Sequence, residues 1–165
     1  MSNAFPPFKF KLHNSLTRRK VEFEPLEREH VRLYACGPTV YSYAHIGNAR
    51  MAVTFDQLAR VLRFLYPRVT YVSNITDVDD RIMQAAIDTG REIGDITRFF
   101  EEAYNQDMAI LGVTPPDIQP RATEHIPEMI ALIQSLIAKN HAYEVNGHVL
   151  FHVPSFAGYG GLSNR

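Results

Sequence analysis

Val31-Arg-Leu-Tyr-Ala-Cys-Gly-Pro-Thr-Val-Tyr-Ser-Tyr-Ala-His-Ile-Gly-Asn48 decides the fold. Its first six residues, Val31 to Cys36, alternate and are rich in strand formers, which predicts a strand. Beyond the quoted stretch, Phe55, Leu58, Ala59, Leu62 and Leu65 recur at helical spacing until Pro67 stops the pattern, predicting a helix from about Asn48 to Tyr66. Val69-Thr-Tyr-Val-Ser-Asn-Ile75 predicts a second strand, and the intervening helix is long enough for a right-handed crossover, so the two strands should run parallel. The connection from Gly37 to Gly47 is 11 residues long, where about 2–6 is usual. A long loop at the carboxyl end of a parallel strand is where open α/β sheets bind ligands.

Outward from this βαβ unit the chain turns helical. Ile82 to Ala86, then Ile96, Phe99, Phe100, Ala103 and Leu111, then Ile126, Met129, Ile130, Ile133 and Ile137 form stripes expected to face a core. Thr114-Pro115-Pro116 is a rigid break and a plausible seam. Ala142-Tyr-Glu-Val and His148-Val-Leu-Phe-His-Val flank Asn146-Gly147, a hairpin signal because both central residues of a type I′ turn need positive φ. A two-stranded parallel sheet is too little for a finished domain of this class, so further polypeptide or a partner is expected.

The 165 residues are 45% hydrophobic and 21% charged, which suits a globular domain and excludes disordered and fibrous classes. Seventeen cations against 18 acids give a net charge of -1, so no whole-chain basic field holds nucleic acid indiscriminately. The one basic patch, Lys9, Lys11, Arg18, Arg19 and Lys20, reads as a solvated tail. Cys36 is the single cysteine, which removes the disulfide-stapled secreted class and favours a reducing compartment, by default the cytoplasm. No apolar run approaches the ~18 residues of a membrane span. Ser2-Asn3-Ala4 looks like a cloning scar rather than a part of the fold.

Three groups of residues carry candidate chemistry. Gly47 would let a ligand approach the backbone, the helix start at Asn48 offers N–H groups to phosphate oxygens, and His45 is placed to donate a hydrogen bond as charge develops on a phosphate. The alternative reading is a loop histidine and a helix N-cap. Thr76-Asp77-Val-Asp79-Asp80 resembles a magnesium box but fits helix capping better, with Thr76 or Asp77 as acceptor. His141, His148 and His152 cluster in the hairpin without an acid or cysteine at matching spacing, so an exposed face is expected rather than a metal site.

Cys36-Gly-Pro-Thr-Val-Tyr41 followed by His45-Ile-Gly-Asn-Ala-Arg50 resembles the first signature of the cysteinyl-tRNA synthetases, a class I aminoacyl-tRNA synthetase family. Asn14-Ser-Leu-Thr-Arg-Arg-Lys20, Tyr71-Val-Ser-Asn-Ile-Thr-Asp-Val-Asp-Asp-Arg81, Pro120-Arg-Ala-Thr123 and Tyr159-Gly-Gly-Leu-Ser-Asn-Arg165 match later or flanking stretches in order. The resemblance implies an α/β fold: a Rossmann-like nucleotide-binding half-domain of a class I synthetase core, followed by a helical segment and a β-hairpin of the connective insertion. It divides the chain into an N-terminal extension (1–20), the first half of the catalytic domain (21–115) and the start of the insertion (116–165). The second catalytic half and the anticodon-binding region would lie outside it.

The same resemblance implies ATP-dependent activation of L-cysteine and transfer to tRNA(Cys), in a cytoplasmic monomer that is not membrane-bound. His45 and Asn48 would be catalytic. Pro38, Thr39, Tyr41, His45, Gly47 and Asn48 would bind ATP with its Mg2+, and Gly37, Thr39 and Thr76 would bind cysteine. Cys36 would be the first ligand of one Zn2+ per subunit, the others being a Cys, a His and a Glu of the second half. Zinc selects a thiolate, at ~2.3 Å, over the harder hydroxyl of serine. Asn48 stands where the family's tetrapeptide ends in His; it can donate hydrogen bonds but cannot become cationic. Cys36 and His45 are expected to face one ligand cavity, and Arg18, Arg19 and Lys20 are candidates for tRNA phosphates. The competing functions are the related cysteine ligase of mycothiol synthesis and a catalytically incomplete nucleotide-binding fragment.

Overall fold

The computed structural model describes residues 9–163; the Ser2-Asn3-Ala4 stretch and the last two residues of the Tyr159–Arg165 motif lie outside them. In chain order the elements are β1 (Lys11–Asn14), β2 (Arg19–Glu22), β3 (Val31–Ala35), α1 (Ile46–Leu65), β4 (Val69–Ser73), α2 (Asp80–Thr89), α3 (Ile93–Ile110), α4 (Ile126–Ala138), β5 (Ala142–Val145) and β6 (His148–Phe151). They fall into two units, Pro25–Glu124 and residues 9–24 with 125–163.

In the first unit β3 and β4 pair in parallel from Val31 opposite Val69 to Ala35 opposite Ser73, with α1 between them in sequence. Helix α1 ends where the sequence predicts. Tyr66 precedes Pro67 and is extended, with φ −127° and ψ 148°, because the proline ring disfavours helical backbone at the preceding residue. Small residues bring α1 close to its neighbours. Ala59 packs with Ala35 and Tyr71 of the sheet, flanked by Leu33, Met51 and Phe55, while Ala52 meets Tyr104 and Met108 of α3. Leu62, Ile75, Ile82, Ile96 and Val40 are fully buried, each worth about 1.5–3 kcal/mol of transfer free energy.

The sheet is wider than the sequence suggests. After Pro116 the chain returns along the free side of β4, with parallel bridges from Val72 to Ile118 and from Ile75 to Arg121. Ser73 N–H donates to the Ile118 carbonyl at 3.1 Å, Ile75 N–H to that of Pro120 at 2.8 Å, and Ala122 N–H to that of Ile75 at 3.1 Å. Thr114-Pro115-Pro116 breaks the helix but does not end the first unit, which continues to Glu124.

Carboxylates fasten this third strand-like segment and the loop before it. Buried Asp56 accepts from Arg60 Nε at 2.8 Å and from Thr114 N–H at 3.2 Å, while Arg60 Nη2 also donates to the Gly112 carbonyl and to Thr114 Oγ1. Asp117 Oδ2 accepts from Tyr71 N–H at 2.7 Å and from Arg63 Nη2 at 2.9 Å. Arg121 forks onto Glu101 and reaches Glu124.

In the second unit residues 9–24 form an antiparallel hairpin, Lys11 opposite Glu22 through Asn14 opposite Arg19. This corrects the reading of the basic stretch as a tail: Leu12 and Val21 pair across the strands, and Phe10 and Phe23 meet edge to face at the open end. The β5–β6 hairpin is as read, with Asn146 at φ 52° and Gly147 at φ 78°. Helix α4 differs from expectation. None of its side chains is buried, and Ile126, Met129, Ile130, Leu132 and Ile137 are exposed, because within its unit β5 is the element packed against it.

The Tyr71 amide and Arg63 hold the Asp117 carboxyl below the usual carboxylate range. A depressed folded pKa contributes stability above the unfolded value, and that stability is lost as pH falls through the folded value. Asp117→Asn is therefore expected to lower stability at neutral pH by roughly 1 kcal/mol, both partners being partly exposed. Urea midpoints measured between about pH 5 and pH 2 should fall less steeply in the variant than in the wild type.

Candidate active site

The turn after β3 passes very close to the turn after β4. A Cβ on Gly37 would lie 1.6 Å from the Asn74 carbonyl oxygen, so no other residue fits. Asn74 Oδ1 accepts from Gly37 N–H at 3.0 Å and from the Tyr34 hydroxyl at 2.9 Å, and its Nδ2 donates to Thr76 Oγ1 at 3.1 Å. Thr76 then pairs with the loop itself, its N–H donating to the Pro38 carbonyl at 2.9 Å and its carbonyl accepting from Val40 N–H at 3.2 Å. The long Gly37–Gly47 connection is thus pinned at its base.

The loop then enters α1 through a reciprocal cap. His45 is the N-cap: its Nδ1 accepts from Gly47 N–H at 3.0 Å, and Asn48 Oδ1 accepts from His45 N–H at 3.1 Å. This is a capping box with histidine and asparagine in place of the usual Ser/Thr and Glu/Gln. Because Nδ1 accepts, the ring proton sits on Nε2, and because Asn48 Oδ1 accepts, its amide NH2 keeps both donors. The box also uses backbone donors that the sequence reading offers to phosphate, since Gly47 N–H goes to His45 Nδ1 and Asn48 N–H to the His45 carbonyl at 2.9 Å. The helix starts at Ile46, two residues before the expected Asn48. Glycine at 47 has a reason besides ligand access: a Cβ there would come within 2.7 Å of His45 Cε1 and 2.9 Å of Nδ1.

Between the loop, α2 and α3 lies a cavity of about 270 Å³. Gly37, Pro38, Thr39, Tyr41, His45 and Asn48, singled out from sequence, line it together with Arg81, Phe100 and Tyr104. Cys36, Gly47 and Thr76 do not. Cys36 is exposed at the end of β3, its Sγ 3.7 Å from the Gly37 carbonyl. Burial pushes the Tyr104 phenol up to about 12, which keeps its O–H as a donor.

Arg81 is the permanent cation of the lining, and residue-type reasoning did not pick it out. Its Nε donates to Asp79 Oδ1 at 2.9 Å, its Nη2 reaches Thr39 Oγ1 at 3.4 Å, and its guanidinium lies 4.8 Å from the Tyr41 ring centroid. Hydrogen bonds from Arg81 hold the Asp79 carboxyl below its usual range. The available signal was its place at the end of the Tyr71–Arg81 signature. Capping of α2 falls to Asp79, which accepts from Arg81 N–H at 2.9 Å, and not to Thr76 or Asp77. Asp77 instead accepts from Thr123 N–H at 3.0 Å and from its hydroxyl.

Among the described residues no group of three or more His, Cys, Asp or Glu side chains could hold a metal ion. Cys36 offers one thiolate where zinc takes four ligands, so the described residues do not by themselves fit that ion. The three hairpin histidines do not converge: His141 Nδ1 bonds Ser155 Oγ at 2.8 Å, and His152 meets the Tyr143 ring edge-on. No helix among the described residues is long and apolar enough to cross a membrane.

Residues 22–165 match the family model described as tRNA synthetases class I (C) catalytic domain. The chain is 61% identical over 154 residues to a cysteine–tRNA ligase of Rhodospirillum rubrum, covering 93% of this chain and 34% of that protein. It is 57% identical to one of Acidiphilium cryptum, covering 94% and 34%. The chain thus spans about a third of the length of these relatives. In structure it is similar to Mycobacterium tuberculosis methionyl-tRNA synthetase in complex with methionyl-adenylate, with TM-score 0.57 at 17% identity over 73% of this chain and 28% of that one. At that identity the likeness concerns the fold.

The cap makes a tautomer prediction. Long-range nitrogen–proton spectra of His45 at neutral pH should show Nδ1 unprotonated and the proton on Nε2. Gly47→Ala should displace the ring and erase that preference while leaving the circular dichroism of the fold in place. A protonated Nδ1 in the wild type would contradict the capping box.

Proposed function

The chain belongs to the class I (C) tRNA synthetase catalytic-domain family, and from that membership we propose that it forms the first half of the active site of a cysteine–tRNA ligase. The reaction is activation of L-cysteine by ATP to cysteinyl-adenylate and pyrophosphate, followed by transfer of the acyl group to tRNA(Cys). The observation that carries the proposal is the His45–Asn48 capping box opening on a cavity walled by Gly37, Pro38, Thr39 and Tyr41. That the similar proteins are cysteine–tRNA ligases supports tRNA, rather than an amino sugar, as the acceptor.

In the first step a carboxylate oxygen of cysteine forms a bond to the α-phosphorus as the bond to the bridging oxygen of pyrophosphate breaks. The carboxylate is the nucleophile already, so the protein's work is positioning and stabilisation of charge on the phosphoryl oxygens. His45 Nε2–H and the Asn48 amide are the fixed donors for that charge. Neither must reorganise, because Gly47 N–H holds the His45 ring and His45 N–H holds the Asn48 amide. Asn48 donates without adding a full positive charge.

Arg81 faces the same cavity, with Asp79 balancing part of its charge. It suits a polar or anionic part of the bound substrates, and Mg2+ would arrive with ATP, held by phosphate oxygens. Gly37, Thr39 and Thr76 are proposed for the cysteine side of the site. Cys36 is proposed as one ligand of a zinc ion whose other ligands would come from outside this chain; bound there, zinc would discriminate thiolate from hydroxyl.

His45→Ala in the whole protein should slow ATP–pyrophosphate exchange by about 10²–10³-fold. Cysteine affinity, measured by isothermal titration, should stay nearly unchanged, because the donor acts chiefly on the transition state. Equal losses in exchange and in cysteine binding would remove His45 from that role.

A further inference from the structure

The β1–β2 hairpin holds five cations, Lys9, Lys11, Arg18, Arg19 and Lys20, with no acid before Glu22, in a chain whose net charge is -1. The one carboxylate on the two strands, Glu22, is bound by Lys9 Nζ at 2.8 Å and also stands opposite Lys11. Arg19 stands opposite Asn14 and Lys20 opposite His13, so neither has a carboxylate across the ladder. Lys11, Arg19 and Lys20 are exposed and make no ion pair among the described residues. Cross-strand pairs share a face of a hairpin, so Lys11, His13 and Lys20 project to one side together with Glu22, while Arg19 projects to the other side next to the turn that holds Arg18.

The turn is costly for what it holds. Arg18 sits at φ 54°, a left-handed conformation for which glycine or asparagine is the usual choice, and the residue there nevertheless is a cation. The ladder and the Asn14 side chain, which accepts from Leu16 N–H at 2.9 Å, fix these charges on a rigid frame rather than on a mobile tail. Arg19 and Lys20, fixed on the surface with no carboxylate across the ladder, suit a regular polyanion, where each neutralised phosphate releases counterions. They carry no base-reading geometry, so their contribution would be to position a backbone, not to read sequence.

We propose that the β1–β2 hairpin is a docking surface for the phosphate backbone of an RNA, namely the tRNA substrate, a choice of partner that rests on the synthetase reading above. None of the hairpin cations lines the cavity. Their removal therefore acts on RNA binding and leaves amino-acid activation alone.

The test uses the whole protein, wild type and the triple variant Lys11→Gln, Arg19→Gln, Lys20→Gln, with Lys11→Arg, Arg19→Lys, Lys20→Arg as the charge-conserving control. Nitrocellulose filter binding of tRNA should weaken by roughly tenfold or more in the Gln triple, and the slope of log Kd against log salt should fall by about one unit per cation removed. ATP–pyrophosphate exchange should be unchanged, the KM for tRNA in charging should rise in parallel with Kd, and the control should behave as wild type. Unchanged tRNA affinity and salt slope in a folded Gln triple would overturn the proposal. So would a triple that loses binding to phosphatidylserine vesicles while keeping tRNA affinity, which would assign the cations to a membrane surface. If wild type binds tRNA through the hairpin yet charges none, the synthetase reading fails and the hairpin assignment stands.

Discussion

One close approach holds the site together: the backbone of Gly37 against the backbone carbonyl of Asn74, at a separation that excludes any side chain at position 37. Two parallel strands end side by side there, and the Asn74 amide stitches Tyr34, Gly37 and Thr76 into one cluster. Everything downstream inherits that placement. Thr76 clamps Pro38 and Val40, which fixes the base of the long loop, and the loop can then deliver Tyr41 and His45 to the wall of the cavity. A parallel sheet needs no turn at its strand ends, so these groups are free to build a site, the physical reason ligands collect at such edges.

The second constraint is the reciprocal cap of α1. A helix start is ordinarily an anion site because its first N–H groups lack partners. Here His45 takes one of them with its ring and another with its carbonyl, so the donors offered to the cavity are side-chain donors, Nε2–H and the Asn48 amide. Gly47 belongs to this arrangement as the residue over which the imidazole lies. His45 is therefore the N-cap that one reading of the sequence expected, and the act of capping determines which nitrogen can donate.

The β3–α1–β4 unit was legible because strand-forming alternation, helical spacing and a proline stop all agreed across one window, and Asn146-Gly147 was legible because its turn demands positive φ. The strand-like segment at 117–122 was not. Pro115, Pro116 and Pro120 give it the composition of a loop, and what makes it a strand neighbour is a tertiary fact, the acceptance of β4 amides by Ile118 and Pro120 carbonyls. The first hairpin hid behind its charge, since a run of cations reads as solvated whether or not a ladder lies beneath it. At the site, the lining residues of the loop were readable from one signature. Arg81 and Tyr104 were not, because nothing local in α2 or α3 tells which turn of a helix faces a loop coming from elsewhere.

The Thr76–Asp80 run shows how neighbours sort identical side chains. From sequence, three aspartates within four residues suggest a cation box. In the fold Asp77 is buried and serves Thr123 with both oxygens, which ties the end of the 117–122 segment to the turn after β4. Asp79 caps α2 and holds Arg81. A divalent cation bound by these two would strip a buried carboxylate of its donors and release both the cap and the arginine that stacks on Tyr41. Arg81 and Tyr41 line the cavity, so a metal that took Asp79 from Arg81 would dismantle part of that wall. The carboxylates are thus better understood as part of the frame behind the cavity than as ligands, and the charge they carry is already matched by Arg81 and by backbone amides.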